Sequence, residues 1–401
     1  MTDASRRRTL GLIAGGSIAS TLMACGLPER GAAVPAGRAT DASVLGLANE
    51  RFFPAHGSAA LEVEVGLAMD RQARALGLRS PAELPAWQLL AISGGGENGA
   101  FGAGLLCGWT EQGTRPEFEL VTGISTGALS APFAFLGPSY DGQLRSVYTE
   151  TTPERVLRKR SLAAALFDDA MADNAPLFGL ISQYVDAAML AAIARAYQSG
   201  RLLLVATTDL DAQQPVIWNI GAIAGSGHPR ALDTVRRVLL ASSAIPAAFP
   251  PVMIDVTLDG ETRQEMHVDG GAFVQTFLYP VALTEARRQK LASGGRVLQA
   301  EAYVIRNGRL DPEWAVVGRR TLGIAGRAIA TMITSAGFND VVRIYDTTRR
   351  DDIGYNLAYI GRDFTVPLPT PFDPAYMRAL FDYGYQKALR GYDWAKRPPV
   401  V

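Results

Sequence analysis

Val121-Thr122-Gly123-Ile124-Ser125-Thr126-Gly127-Ala128 decides the fold. A short apolar run meets a Gly-x-Ser-x-Gly pentapeptide, and an Ala-rich stretch suited to a helix follows. The spacing reads as strand, sharp turn, helix, with Ser125 at the apex. Gly123 and Gly127 keep the turn's neighbours small, so that strand and helix can approach. A hydroxyl at such an apex is exposed, and the N-terminus of the next helix favours negative charge developing beside it. Gly and Ser are common in turns. The pentapeptide gains weight from two other stretches, a glycine cluster upstream and an Asp-Gly-Gly downstream.

Upstream, Trp87-Gln88-Leu89-Leu90-Ala91-Ile92-Ser93 reads as a buried strand. It runs into Gly94-Gly95-Gly96-Glu97-Asn98-Gly99-Ala100-Phe101-Gly102, with a helix from about Ala100 to Gln112. A glycine-rich turn from strand to helix exposes backbone N–H groups and is suited to an anion. Gly94, Gly96 and Gly99 satisfy the Gly-x-Gly-x-x-Gly dinucleotide fingerprint, which also requires an acid at the end of the following strand. That strand, Leu120 to Ile124, ends in Ser125, which argues against a nucleotide. The competing reading is an oxyanion hole, with two N–H donors aimed at one carbonyl oxygen. Downstream, Met266-His267-Val268-Asp269-Gly270-Gly271 reads as a short strand entering a turn.

The rest of the chain alternates helix and strand. Helical patterns cover Ser58 to Gly77, Ala128 to Leu136 despite Pro132, Pro153 to Arg160, Ser161 to Ala172, Pro176 to Tyr197 and Ala231 to Ser243. They also cover Asp311 to Arg349 in two pieces and Asp373 to Tyr392. Strand patterns cover Arg201 to Leu210, Pro215 to Asn219, Gly295 to Ile305 and Asn356 to Ile360. This alternation predicts an α/β fold with a mostly parallel sheet. The 48% hydrophobic content suffices for a core, and a formal net charge of +0 gives no electrostatic case for nucleic acid.

Residues 1–24 read as an export signal, set apart from the fold. Ser5-Arg6-Arg7-Arg8-Thr9-Leu10 is similar to a twin-arginine signal, and an apolar run from Thr9 to Met23 follows. That run is about 15 residues, short of the roughly 20 that span a bilayer. Leu22-Met23-Ala24-Cys25 resembles a bacterial lipoprotein cleavage box, in which Cys25 becomes the acylated first residue. Cleavage there removes Arg6, Arg7, Arg8 and Asp3 and moves the formal charge from +0 to −2. Membrane attachment is then expected through acyl chains on Cys25 or an apolar face, not through a basic patch. With Cys25 acylated, Cys107 has no disulfide partner, and its apolar setting marks a small core residue. Residues 25–57, rich in Gly, Ala, Pro and Arg, read as a lipidated N-terminus and flexible tether.

Four elements taken in order carry a family resemblance. Gly94-Gly95-Gly96-Glu97-Asn98-Gly99 comes first, followed by Gly123-Ile124-Ser125-Thr126-Gly127. Ala241-Ser242-Ser243-Ala244-Ile245-Pro246-Ala247-Ala248-Phe249-Pro250-Pro251 is third and Asp269-Gly270-Gly271 fourth. Together they resemble the patatin-like phospholipases. The resemblance implies a three-layer α/β/α fold and a serine lipid acyl hydrolase of phospholipase A, lysophospholipase or esterase type. By the same resemblance, Ser125 is the nucleophile and Asp269 the base. Gly94, Gly95 and Gly96 form the oxyanion hole, Gly123 and Gly127 frame the nucleophile, and neither metal nor other cofactor takes part. The resemblance implies a lipid or phospholipid substrate, while the lipoprotein-like box at Cys25 implies a membrane surface as partner, expected in a bacterial envelope and facing the periplasm from the outer membrane. Residues 58–86 would form an N-terminal helical extension, 87–295 the catalytic domain and 296–401 a C-terminal α/β extension packed on it. Where the family usually carries Arg or Lys, this chain has Asn98. That departure motivates an alternative, a non-catalytic lipid-binding or scaffold lipoprotein.

The histidines test a third reading, a Ser-His-Asp esterase, whose histidine comes late in the chain. No histidine follows His267. His228 reads as part of a surface loop, and His267 as structural or as tuning Asp269. Asp168, Asp169 and Asp173 read as a solvated helix end, and Asp209 and Asp211 as capping groups. Phe133, Phe135 and Phe249 are candidates to line an acyl-chain channel.

Overall fold

Buried apolar runs make the middle of a nine-stranded sheet. In this computed structural model residues 30–160, 169–279, 285, 287–289, 292–294 and 297–399 are described. The expected export signal, Cys25 and most of the helix expected from Ser161 to Ala172 lie outside them. The strands are β1 (Arg51–Phe52), β2 (Trp87–Ile92), β3 (Leu120–Gly123), β4 (Leu202–Asp209), β5 (Gln214–Asn219), β6 (Val252–Leu258), β7 (Glu261–Asp269), β8 (Ala300–Arg306) and β9 (Gly354–Tyr359). The main helices are α1 (Ala59–Ala75), α2 (Gly99–Gln112), α3 (Thr126–Leu136), α4 (Asp141–Thr149), α5 (Ala175–Tyr184), α6 (Ala187–Gln198), α7 (Ala231–Ser242), α8 (Thr321–Arg350) and α9 (Pro374–Leu389).

The sheet order is β1-β5-β4-β3-β2-β8-β9. β4, β3, β2, β8 and β9 are mutually parallel, while β5 and β1 add antiparallel at one edge. Side chains alternate across each strand and feed two cores. Leu90, Ile92, Val121, Leu203 and Val205 face the layer of α2 to α7 and α9. Leu89, Ala91, Leu120, Leu202 and Leu204 face the layer of α1 and α8. Both faces are covered, which is why the central strands are apolar throughout rather than alternating. The architecture is therefore a helix–sheet–helix sandwich, as expected.

The C-terminal hundred residues complete this fold. β8 inserts next to β2, and β9 next to β8. α9 lies against α2 at very close range. A Cβ at Gly104 would stand 2.0 Å from the Phe381 carbonyl oxygen, and one at Gly108 2.3 Å from that of Tyr385. Trp394 then packs on Trp109, the rings tilted by 52° with centroids 4.8 Å apart.

Several expectations need correction. The tether from 25 to 57 is not a tether over its described part: Ala39, Ala42, Val44, Leu45 and Phe52 are buried. The Glu50 carboxylate accepts the N–H groups of Val44 and Leu45 and folds this segment onto the domain. Arg158–Lys159 and Ala172–Asp173, expected in helices, pair as a two-stranded ribbon. The helix expected from 176 to 197 is broken into α5 and α6, because Asp186 accepts the Met189 N–H and caps a new start. α8 is one helix of 30 residues rather than two pieces. The β6–β7 hairpin was not anticipated on the β6 side. Its signal is Asp259-Gly260, with φ of 51° and 83°, a two-residue turn that matches strand twist. Among the described residues no single helix is long and apolar enough to cross a membrane.

Candidate active site

Sheet register brings Ser125 and Asp269 together. β3 and β4 run parallel through the pair Gly123 and Val205. β3 then ends because the chain turns at Ser125, while β4 continues to Asp209. β7 fills the edge so vacated, antiparallel, with Asp269 opposite Thr207. Thr207 stands two residues beyond Val205, and Ser125 two beyond Gly123. The carboxylate therefore enters the sheet at the level where the serine leaves it.

Ser125 has φ 55° and ψ −127°, a backbone conformation that side chains disfavour by about 1–3 kcal/mol. Three contacts hold the turn. The Ser125 N–H donates to Ser242 Oγ at 3.0 Å, and the Ser242 hydroxyl donates to the Ala206 carbonyl at 2.7 Å. The Gly127 N–H donates to the Ile124 carbonyl at 2.8 Å. The flanking glycines are needed for space: a Cβ on Gly123 would lie 2.5 Å from the Gly127 carbonyl oxygen, and one on Gly127 2.2 Å from that of Ile92. Tyr148, buried between α4 and α3, bonds the hydroxyls of Thr126 and Ser130 at 2.6 and 2.8 Å and fixes the start of α3.

Asp269 is 4% exposed. Burial pushes its carboxyl up to about 6, against a hydrogen bond from the Ser125 side chain and one from the Gly271 N–H that favour the ionised form. The Gly271 bond is 2.7 Å. The Asp269 N–H donates to the Ala244 carbonyl at 2.9 Å, so the Ala241–Ala244 stretch grips both the serine and the aspartate.

The glycine loop passes over the pair. A Cβ on Gly94 would sit 3.2 Å from Ser125 Cβ. Its N–H is already taken by the Gln275 carbonyl at 3.0 Å, which narrows the expected donor set Gly94, Gly95 and Gly96 to the last two. The N–H groups of Gly95 and Gly96 have no acceptor among the described residues. Both glycines have positive φ, 157° and 57°, and a Cβ on Gly95 would strike the Asn307 carbonyl oxygen at 2.0 Å.

A buried polar layer supports this loop from behind. Arg306 Nη1 donates to Ser93 Oγ at 3.2 Å and to the Gly94 carbonyl at 3.1 Å. Asn307 donates its N–H to Ser93 Oγ at 2.8 Å and its amide to the Ser93 carbonyl at 2.9 Å. Its amide oxygen accepts the Gly102 N–H at 3.1 Å. Burial lowers the Arg306 pKa to about 10, partly offset by Asp340, so the guanidinium keeps its charge at neutral pH. Asp340 on α8 in turn accepts the Gln275 N–H at 2.6 Å. Sequence reasoning missed Arg306, Asn307, Gln275 and Asp340, and no local pattern marks them. Asn98, standing where the resemblance expects a cation, accepts the Tyr376 hydroxyl at 2.6 Å and ties the loop to α9.

An apolar cleft, partly open to solvent, leads from Ser125. Leu129, Val156, Leu177, Leu180, Phe249 and Met377 are among its walls. Glu97 stands at the loop side, its pKa raised by burial. Of the three phenylalanines expected here only Phe249 lines the cavity. Phe133 packs on Tyr184, and Phe135 is buried under Arg201.

The other sequence candidates are structural. His267 is fully buried, with Nδ1 2.9 Å from Thr207 Oγ1 and Nε2 3.1 Å from Glu265. Thr207 also accepts the Trp218 indole N–H, and Glu265 pairs with buried Arg51, so both ring nitrogens are engaged away from Ser125. The His228 carbonyl accepts the Ala231 N–H at the start of α7. Asp209 accepts the N–H groups of Asp211 and Ala212, Asp173 that of Ala175, and Asp169 pairs with Arg160. Asp168 lies outside the described residues. Cys107 is buried, its thiol pushed up to about 12 by burial.

Residues 90–281 match the family model described as Patatin-like phospholipase. No curated protein matches the chain. Among solved structures, VipD from Legionella pneumophila aligns at 11% identity and a TM-score of 0.38, over 77% of this chain and 67% of that one. Human GIVD cytosolic phospholipase A2 aligns at 11% identity and a TM-score of 0.32, over 85% of this chain and 65% of that one. The chain thus spans about two thirds of the length of each.

Proposed function

We propose, from the premise that residues 90–281 belong to the patatin-like phospholipase family, that the chain hydrolyses lipid acyl esters with Ser125 as nucleophile and Asp269 as its only base. The observation that carries this reading is the meeting of a strained serine and a buried carboxylate beside an apolar cleft, under a glycine loop whose Gly95 and Gly96 N–H groups have no acceptor among the described residues. Ser125 Oγ attacks the ester carbonyl carbon while its proton passes to Asp269. The carbonyl oxygen becomes an oxyanion and accepts the N–H groups of Gly95 and Gly96, each such donor typically contributing about 2.7–4 kcal/mol. Collapse breaks the bond to the leaving alcohol, which takes the proton from Asp269. Water then attacks the acyl-serine, with Asp269 again receiving the proton; collapse breaks the bond to Ser125 Oγ, which takes that proton back, and the fatty acid leaves. A carboxyl near 6 is ionised at neutral pH yet more basic than an exposed one, which suits both proton transfers.

The apolar walls suit an acyl chain. The charged layer behind the loop supplies a cation, Arg306, in a chain that lacks one at Asn98. Acylation of Cys25, read from the sequence alone, would hold the enzyme on a bacterial envelope membrane. The test is release of fatty acid from phospholipid vesicles and of nitrophenol from a short-chain ester. Ser125→Ala and Asp269→Asn are expected to lose at least roughly 10³-fold in kcat/KM, while folded His267→Gln keeps activity. Full activity in Asp269→Asn would overturn the dyad.

A further inference from the structure

Much of the chain's exposed apolar side-chain surface gathers in one segment. Trp314 is 87% exposed and Val316 81%, and Met332, Ile324 and Ile329 on α8 are each more than half exposed. The first half of α8 touches little: residues 323–335 are exposed, apart from a partly covered Arg327. At about 100° per residue, Ile324, Ala328, Met332, Ala325, Ile329 and Ile333 fall on one half of the helix. Arg327, Thr331 and Thr334 fall on the other. This is an amphipathic helix whose apolar side is turned to solvent.

Its charge indicates what covers it. Residues 314–339 hold three arginines and no acid, in a chain of formal net charge +0. An exposed tryptophan, an apolar helix face and three arginines with no ion pair among the described residues match the chemistry of a lipid–water interface with anionic headgroups. The chain also connects the segment to the cavity wall. Arg309 donates to the carbonyls of Gly361 and Phe364, and Arg362 pairs with Asp311. From that knot leave both Trp314–Val317 and the exposed Val366 and Leu368, the latter leading to Phe372 in the cavity wall. The C-terminal half of α8 is fixed to the site through Asp340 and Gln275.

We propose that Trp314–Ser335 docks on an anionic phospholipid bilayer, with α8 lying in the interface plane and the cavity mouth turned to the lipid. This rests on the lipid hydrolase reading for its purpose but not for its measurement. The experiment uses the mature chain from residue 25 with Cys25→Ser, so that neither the export signal nor an acyl chain contributes. Binding is read by co-sedimentation with vesicles of phosphatidylethanolamine and phosphatidylglycerol (3:1) and of pure phosphatidylcholine. Hydrolysis of a soluble short-chain ester is read in parallel. Ile329→Asp, and separately the milder pair Ile324→Ser with Met332→Ser, should raise the lipid concentration for half-binding by roughly tenfold or more and leave soluble-ester turnover unchanged. Added salt should weaken binding to the anionic vesicles. Unchanged binding in both folded variants would overturn the proposal. So would a wild-type dimer that Ile329→Asp splits, which would make the face a contact between copies. Vesicle binding that needs this face, in a protein that cleaves neither substrate, would uphold docking and remove the hydrolase reading.

Discussion

Replacing Asp269 with Asn should strengthen the fold while abolishing activity, and the gain should depend on pH. The folded-state carboxyl titrates at about 6 against an ordinary 3.8, because it is buried. The folded protein therefore holds this proton more tightly than the unfolded chain. That preference contributes fully below 3.8 and is lost as pH rises through about 6. Above that the ionised carboxylate opposes folding by its whole desolvation. The interval from 3.8 to about 6, at roughly 1.36 kcal/mol per pH unit, amounts to about 3 kcal/mol. Only 4% of the residue is exposed, so solvent screening removes little of it. Asn keeps an oxygen for the Gly271 N–H and has no charge to desolvate. The assay is urea unfolding of both proteins at pH 4, 5, 6, 7 and 8, in which all other titrations are shared. The stability difference should be small at pH 4 and grow to about 3 kcal/mol in favour of the variant by pH 8. A difference flat with pH, or a variant weaker at pH 8, would refute the burial argument.

Four further outcomes follow from the same geometry. The acid limb of kcat/KM should show a midpoint near about 6, where burial places the Asp269 carboxyl, measurable with a soluble ester across pH 4.5–8. Ser125→Gly should unfold at higher urea than Ser125→Ala, by about 1 kcal/mol, because only glycine accepts φ 55° without strain. Arg306→Met should lower kcat roughly tenfold, or about 1.4 kcal/mol, with little change in KM, since it removes the bonds that hold Ser93 and Gly94 at the start of the proposed oxyanion loop and leaves the cavity walls alone. Gly104→Ala should lower the melting temperature in one cooperative transition, because its Cβ would meet the Phe381 carbonyl and push α9 off α2. A separate melting step for the C-terminal hundred residues would contradict their place in the fold.

The sequence made the layered fold legible because its central strands are short apolar runs bounded by glycine turns. Ser125 and Asp269 were legible for a related reason. Each ends a strand at a turn whose glycines are dictated by backbone contact, as Gly123, Gly127 and Gly270 show. What stayed hidden depends on contacts between distant residues. Arg306 and Asp340 are polar residues in apolar surroundings, and their function emerges only when β8 enters beside β2 and α8 crosses Gln275. The packing of residues 30–57 was hidden because Gly, Ala and Pro suggest a linker unless a buried carboxylate, here Glu50, gathers them. The hairpin before β7 was a missed signal, since Asp259-Gly260 between alternating strands is visible in the chain.

The most direct test of the central claim is covalent labelling by a fluorophosphonate, read by intact mass and peptide mapping. A single adduct is expected on the peptide holding Ser125, absent in Ser125→Ala, slowed in Asp269→Asn, and untouched by the vesicle-docking variants. No adduct on the folded wild-type protein, or an adduct that persists in Ser125→Ala, would contradict it.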